Sequence, residues 1–299
     1  MQGTLVAPLP PPAMTAAGPL LAGAALPEAP VLFAGALGGP LVIGLWAPLR
    51  NACTLAAQDS RSTARQIILQ RVFGRGLLQG WTGASAPAAA AAVQFTTLGP
   101  GYHFFRHHLG SSEAAVAAGA LAESVITYAP STRNAQLMHN RVADAPERVT
   151  VRGFLPAGPG FGALVARNCL ANAGIRVLSQ PVAEAITRVA PPGVRESGAC
   201  KVGGDFFASV LCGVLSMPFN QLFNFQVTSR ASLESTPADR ARLGVEFLKR
   251  QYFVTSSSGA LRPSRIMLRD ASLRSMYIGC VFSTYAAVER AALSIAARA

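Results

Sequence analysis

The chain has 299 residues, of which 51% are hydrophobic and only 13% carry a charged side chain. Its mean hydropathy of +0.33 is too apolar for an ordinary soluble domain of this length, so a membrane protein is expected. The net charge of +12 comes almost wholly from arginine, but the arginines fall between apolar runs and lack interleaved stacking aromatics. Composition therefore argues against nucleic acid as a partner and favours anionic lipid.

The first thirty residues are rich in proline and alanine and contain no arginine or lysine. A secretory signal needs a basic start and a mitochondrial presequence needs arginines, so residues 1–30 fit neither pattern. We predict an extended N-terminal arm over this range.

Six apolar runs follow the arm. Two of them, 31–49 and 206–229, contain no charged residue and are each long enough to cross about 30 Å of hydrocarbon. Four further runs lie at 81–102, 114–132, 161–183 and 271–288. The run at 161–183 contains Arg167 and Arg176, which require a polar interior to face. The pattern predicts six membrane-spanning helices.

The three longer connections between these runs are rich in arginine. They lie at 50–75, 133–152 and 230–269. By the positive-inside rule all three lie on one side of the membrane, and both termini lie on the other.

A proline recurs near the same end of the first, third and fifth runs. These residues are Pro48, Pro130 and Pro218, and a glycine-led segment enters each following run. A proline within a helix removes one backbone hydrogen bond and kinks the chain, so three equivalent prolines can close one end of a bundle as helix kinks. The recurrence predicts three two-helix repeats, at 31–110, 111–200 and 201–299.

The three hairpins, their prolines and their small-residue spacings resemble the mitochondrial carrier family. The segments "GFLPAGPGFGALVARNCLANAGIRVLS" and "GALRPSRIMLRDASLRSMYIGCVFSTYAAVE" carry most of the likeness. The resemblance implies an all-α membrane protein with six transmembrane helices, arranged as three two-helix repeats around a pseudo-threefold axis. It also implies the mitochondrial inner membrane, with both termini toward the intermembrane space and cardiolipin beside the arginine-rich loops.

The charge pairs that close the matrix side of such carriers are missing here. The family motif P-x-[DE]-x-x-[KR] places an acid and a base in each repeat, and the corresponding positions are Arg50 with Cys53, Thr132 with Ala135, and Asn220 with Phe223. The motif [FY]-[DE]-x-x-[KR], which closes the opposite side, has also lost its charges, with Ala286 in the acid position of the third repeat. We expect neither gate to form by the charge pairs of the family.

Substrate contacts in the family come from the even-numbered helices. Carried over by position, they are Arg167 with Asn168, and Arg269 with Asp270. Two arginines facing a cavity can bind an anion or a carboxylate, because a charge inside a membrane needs a partner. The alternative is that each arginine pairs locally, for example Arg269 with Asp270 or with Glu123.

Several kinds of site are not expected. The five cysteines and four histidines show no metal-ligand spacing, so no metal is predicted, and His103, His107 and His108 are interpreted as part of a solvated loop. The stretch "GPGFGA" lacks the preceding strand and following acid of a dinucleotide site, so no cofactor is predicted. No nucleophile lies in a recognisable catalytic pattern, so the chain is not expected to be an enzyme.

Two functions follow from the sequence. The first is a carrier-fold protein that has lost transport and serves as a structural or accessory subunit of a large inner-membrane complex, such as a respiratory-chain or ATP-synthase assembly. The second is an atypical carrier for a small anion or carboxylate, with Arg167 and Arg269 as ligands. An unrelated six-helix membrane protein with chance repeats is a third possibility.

Overall fold

The structure is a computed structural model that describes residues 29–57, 59, 61–142, 145–152, 156–195, 198–256, 259–296 and 298. It is mostly helical, at 83%, in agreement with the all-α class expected from the apolar runs. The predicted N-terminal arm, residues 1–30, lies outside the described residues except for its last two positions.

The first helical run, α1, covers residues 29–56. It consists of Ala29–Phe33, π-helical Ala34–Gly38, Gly39–Leu45 and Ala47–Ala56. The run breaks at Trp46, and Pro48 occupies the first turn of the last piece. A proline is tolerated in a first turn because its missing N–H would have no partner within the helix there.

Five further long helices follow α1 along the chain, with shorter elements between them. The elements between α1 and residue 147 are α2 (64–72, comprising Ala64–Gln66 and π-helical Ile67–Val72), a 3-10 turn Leu77–Trp81, α3 (85–109, comprising Ser85–Thr96, π-helical Thr97–Gly101 and Tyr102–Leu109), α4 (Ser112–Val142) and a 3-10 turn Ala145–Glu147. They are followed by α5 (161–189, comprising Phe161–Ala173, π-helical Gly174–Leu178 and Ser179–Val189), α6 (Pro192–Arg195), α7 (Ala199–Thr228), α8 (Arg230–Glu234), α9 (Pro237–Tyr252), β1 (Phe253–Thr255), β2 (Leu261–Pro263) and α10 (Arg265–Ala296). The long helices among them are α3, α4, α5, α7 and α10. The strands pair antiparallel, with Val254 opposite Arg262. Pro130 and Pro218 lie inside α4 and α7, which continue through them.

Two helices in the described part of the chain are long and apolar enough to cross a membrane. They are Ala199–Thr228 and Arg265–Ile295. Large apolar side chains also point outward from α1 and α7, among them Leu37, Leu41 and Phe207. Outward apolar surface of this kind suits a hydrocarbon environment.

The six long helices form a closed circuit of contacts. Each packs against the next one along the chain, and α10 packs back onto α1. Glycines allow close approach at two of these contacts, because a Cβ on Gly39 would lie 2.5 Å from the carbonyl oxygen of Ala91, and one on Gly204 would lie 2.5 Å from the Cβ of Ala183.

The histidine cluster is helical, so the prediction of a loop there is wrong. Residues Tyr102–Leu109 form the last two turns of α3, and the buried Tyr102 fixes this piece against the bundle. The helix ends at Gly110, whose φ of 70° is a left-handed conformation that favours glycine.

Candidate functional site

A polar cavity lies at the centre of the circuit of helices. It has a volume of about 70 Å³, and all six long helices contribute to its lining. The charged residues of the lining are Arg50 from α1, Glu123 from α4, Arg167 from α5 and Arg274 from α10. Three guanidinium groups against one carboxylate leave the lining with an excess of positive charge.

The carboxylate of Glu123 is held by neutral amides. Its Oε1 accepts a hydrogen bond of 2.6 Å from Gln94 Nε2, and its Oε2 accepts one of 2.9 Å from Asn172 Nδ2. Glu123 makes no ion pair with a described residue. The one negative charge of the cavity is therefore fixed by helices α3 and α5, and it does not pair directly with an arginine.

The guanidinium of Arg167 is positioned by asparagines on two helices. Its Nε and Nη2 donate to Asn168 Oδ1 at 3.0 and 2.9 Å, and its Nη1 lies 3.4 Å from Asn220 Oδ1. Asn168 in turn donates 3.0 Å to the Ser124 hydroxyl. These neutral acceptors orient the cation and leave its charge uncompensated.

The guanidinium of Arg274 has no such support. The residue is only 5% exposed, and its buried Nε has no hydrogen-bond partner in the described structure. Its Cζ lies 5.6 Å from the centre of the Tyr277 ring, which gives partial stabilisation. The side chain of Arg50 also makes no hydrogen bond or ion pair with a described residue.

An arrangement of this kind is suited to a small oxyanion. A buried guanidinium without a carboxylate partner is costly, because it has lost water without gaining a counter-charge. Guanidinium groups bind carboxylate and phosphate oxygens through paired, charge-assisted hydrogen bonds. The cavity therefore has the chemistry of an anion site, and its size limits the ligand in this conformation.

Only part of the predicted substrate set reaches this cavity. Arg167 and Asn168 line it, whereas Arg269 and Asp270 lie outside the lining. The guanidinium of Arg269 lies 2.7 Å from the Asp270 carboxylate and donates to the backbone carbonyls of Ala56 and Ser62. Arg269 therefore pairs locally with Asp270 and does not face the cavity. It also supplies donors to the last turn of α1, whose backbone carbonyls have no partner within the helix.

Tyr252 on α9 completes this second buried cluster. Its hydroxyl donates to Asp270 Oδ2 at 3.3 Å. Burial, together with the adjacent carboxylate, raises the pKa of Tyr252 above its usual range, so the hydroxyl keeps its proton. Arg269, Asp270 and Tyr252 therefore join the end of α1 to α9 and α10.

The positions that correspond to the matrix gate lie close to the cavity. Those that line it are Arg50, Cys53, Ala135, Asn220 and Phe223. Thr132 is fully buried, and its hydroxyl has no partner in the described structure. In the described part of the chain these positions form no ion pair with one another.

A largely buried ion pair joins the middle of α5 to the C-terminal third of α10. Arg176 Nη2 lies 3.5 Å from Glu289 Oε1 and also donates to the carbonyl of Leu98 at 3.3 Å. Nearby, the Tyr285 hydroxyl lies 3.4 Å from the carbonyl of Phe95. Pro100 has no N–H to donate within its π-helical turn, so the carbonyl of Phe95, five residues earlier, lacks its usual partner. Side chains of α5 and α10 therefore bind exposed backbone of α3.

A second ion pair lies beside the first. Arg290 Nη1 lies 2.6 Å from Asp205 Oδ2, and Asp205 also accepts a hydrogen bond from the Ser179 hydroxyl. This contact links α5, α7 and α10. The two ion pairs therefore tie α5, α7 and α10 together, and Glu289 occupies the base position of the [FY]-[DE]-x-x-[KR] motif in the third repeat, where the charge is reversed.

Sequence reasoning named Glu123 only as a possible partner of Arg269 and Glu289 only as the residue at the base position of a gate motif, and it gave no role to Arg274 or Asp205. For Glu123 and Arg274 the available signal was a single charged residue inside an apolar run, which identifies an interior-facing group without naming its partner. Asp205 and Glu289 lie next to such runs, where a charged residue is ordinary.

Comparisons with known proteins add no further assignment. A scan against protein-family models and a search of curated proteins each found no match. Within the described residues no group of three or more His, Cys, Asp or Glu side chains is placed to hold a metal ion.

Proposed function

We propose that this chain is a multi-pass membrane protein on the plan of the mitochondrial carriers, which binds a small anion in its central cavity and carries it across the inner membrane. In this proposal the six long helices are the six spans, grouped as three repeats around a pseudo-threefold axis. The arginine-rich loops face the matrix, where cardiolipin binds, and both termini face the intermembrane space.

The observation that carries the proposal is the uncompensated charge of the cavity. Arg50, Arg167 and Arg274 line one small space, and Glu123, which supplies the one carboxylate among the described lining residues, is already bound by two amides. A ligand with two negative charges, such as a dicarboxylate or phosphate, supplies the missing counter-charge. The circuit of six helices supports the carrier plan, because each predicted hairpin contributes to the same cavity.

The test is binding and uptake of defined anions by the purified full-length chain. Succinate, citrate and phosphate are added to detergent-solubilised protein, and thermal unfolding is followed. A ligand at 100 times its Kd stabilises the folded state by about 2.7 kcal/mol, which is readily measured. Uptake of the protective anion into proteoliposomes then separates binding from transport.

Two variants localise the site. Arg167→Gln removes a cavity cation, and we expect the affinity for the protective anion to fall about tenfold or more, as for the loss of a charge-assisted hydrogen bond. Arg133→Gln removes the same charge from an exposed position on α4 and serves as the control. Absence of protection by every anion, or equal loss in both variants, contradicts the proposal.

A second candidate is an accessory subunit of a respiratory-chain or ATP-synthase complex that does not transport. The observation in its favour is that two ion pairs, Arg176 with Glu289 and Asp205 with Arg290, tie α5, α7 and α10 together, while the positions that correspond to the matrix gate carry no ion pair in the described structure. Alternating access requires contacts at both ends that form and break in turn. Comigration with a large complex at fixed stoichiometry on a native gel supports this function, and a monomer-sized band contradicts it.

A further inference from the structure

An apolar groove runs between α1 and α3 on the outside of the bundle. It has a volume of about 520 Å³, within the usual range of roughly 300–1,000 Å³ for ligand pockets. Residues from both helices line it, including Leu32, Ala36, Val93, Thr97 and Phe104. Small side chains on both walls create the space, so the groove follows from the sequence of the two helices.

None of the described side chains that line the groove offers a free polar group. The hydroxyl of Thr96 donates to the carbonyl of Ala92 at 2.8 Å, and that of Thr97 donates to the carbonyl of Val93 at 2.9 Å. Because both hydroxyls are satisfied within their own helix, the threonines contribute only methyl surface. The groove therefore suits a hydrocarbon chain better than water.

One end of the groove meets a turn with three nitrogen-bearing side chains. The last turn of α3 carries Arg106, His107 and His108, all exposed, and Arg106 Nη1 also donates to the Tyr102 hydroxyl at 3.2 Å. Phe104, which lines the groove, contacts His108 with ring centroids 4.4 Å apart. The nearby Glu113 accepts a hydrogen bond of 2.8 Å from the Ser111 hydroxyl, and its carboxylate also interacts electrostatically with Arg106 without a direct contact. The apolar wall is thus continuous with an exposed turn that carries one guanidinium and two imidazoles, all of which can donate hydrogen bonds to a phosphate.

We propose that this groove binds one acyl chain of an anionic phospholipid, with the headgroup phosphate against the last turn of α3. The inference rests on the proposed membrane placement, but it does not depend on the anion cavity. The groove is lined by apolar surface along its length, and hydrogen-bond donors lie at one end. These features suit a ligand with a long hydrocarbon chain and an anionic headgroup. Another transmembrane helix would fill the groove without using the charges, so lipid is the better fit.

The test uses the full-length chain in nanodiscs of phosphatidylcholine that contain a minor fraction of phosphatidylglycerol. Lipids retained on the protein are counted by native mass spectrometry after release from the disc. Ala36→Phe fills the groove from an exposed position, and the triple variant Arg106→Gln, His107→Gln, His108→Gln removes the headgroup partners. Ala129→Phe and Arg133→Gln make matched changes at exposed positions on α4 and serve as controls.

We expect wild-type protein and both controls to retain phosphatidylglycerol in preference to phosphatidylcholine. We expect both groove variants to lose at least about fivefold of that retained lipid. If only the triple variant loses retained phosphatidylglycerol, the lipid is held by nonspecific electrostatic attraction, and the groove site is overturned. Equal retention of both lipids by the wild type overturns the requirement for charge. A chain that does not insert into the disc contradicts the membrane placement and the lipid site together, whereas loss of anion uptake with lipid retention intact affects only the proposed transport.

Discussion

The Arg176 guanidinium on α5 lies 3.5 Å from the Glu289 carboxylate on α10, and both side chains are nearly buried, at 11% and 13% exposure. Arg176 also binds the carbonyl of Leu98, so the pair connects three of the six long helices. A buried charge that loses its partner keeps the full cost of having left water. We therefore expect the interaction between Arg176 and Glu289 to contribute strongly to the stability of the packing between α3, α5 and α10.

Replacing Glu289 tests this coupling. We expect Glu289→Gln to lower the free energy of unfolding by about 3–5 kcal/mol, the usual cost of leaving one buried charge unpaired. The double variant Arg176→Gln, Glu289→Gln should lose less than the sum of the two single changes. Glu234→Gln removes an exposed partner of Arg230 and should cost less than about 1 kcal/mol. Additive losses in the double variant would show that the two residues act independently.

The contact between α1 and α3 depends on Gly39. A Cβ there would lie 2.5 Å from the carbonyl oxygen of Ala91 and 2.9 Å from the Cβ of Phe95. We expect Gly39→Ala to destabilise the chain by about 1–3 kcal/mol, because backbone must move to make room. Gly44→Ala is the matched control on the same helix, since a Cβ at Gly44 meets nothing within 4 Å. It should be neutral or stabilising by up to about 1 kcal/mol, and thermal unfolding of both variants checks the difference.

The sequence predicted the helical class from its apolar runs, and the central position of Arg167 with Asn168 from the family resemblance. It did not predict that Arg269 lies with the carbonyls at the end of α1, since nothing local distinguishes an arginine that faces a cavity from one that caps a helix. The Arg176–Glu289 contact spans 113 positions along the chain, so its partners meet only through packing. Interior charges are visible in a sequence, but their pairing is a property of the tertiary fold.

The carboxylate of Asp59 organises the loop after α1. It accepts hydrogen bonds from the backbone amides of Arg61 and Ser62 at 2.9 Å and from the Ser62 hydroxyl at 2.6 Å, and it lies 3.4 Å from Arg71 Nη2. Partial burial raises the pKa of Asp59, but these hydrogen bonds and Arg71 outweigh it, so the pKa lies below its usual value.

The sign of the pH dependence follows from that shift. A lowered pKa in the folded state gives stability that is present above the unfolded value of about 3.9 and is lost as the pH falls through the folded pKa. We expect Asp59→Asn to cost about 1 kcal/mol near neutral pH and nothing at pH well below 3.9, where the wild-type carboxyl is protonated. Thermal unfolding from pH 7 downward measures this. If Asp59→Asn were less stable than the wild type by the same amount at every pH, the loss would come from packing and not from the charge of Asp59.

Arg269 is expected to be a structural residue and not an anion ligand. Its guanidinium binds carbonyls at the end of α1 and the Asp270 carboxylate, so Arg269→Gln should lower the free energy of unfolding by about 3–5 kcal/mol. Protein that remains folded should keep wild-type affinity for the protective anion, measured by isothermal titration at low temperature. Arg265→Gln, at an exposed position one turn earlier, is the control for charge. A selective loss of anion affinity in Arg269→Gln would return this residue to the substrate site.

Arg274 should show the opposite behaviour. Its buried guanidinium has an Nε without a partner in the described structure, so in the absence of an anion it burdens the folded state. Methionine has a similar length and no charge, and replacement of buried charges by apolar residues is often neutral or stabilising by about 1–4 kcal/mol. We therefore expect Arg274→Met to raise the melting temperature without anion and to abolish protection by the anion. If Arg274→Met is less stable than the wild type without anion, or is still protected by the anion, then Arg274 has its partners within the protein. The main argument for an anion site in the cavity would then fail.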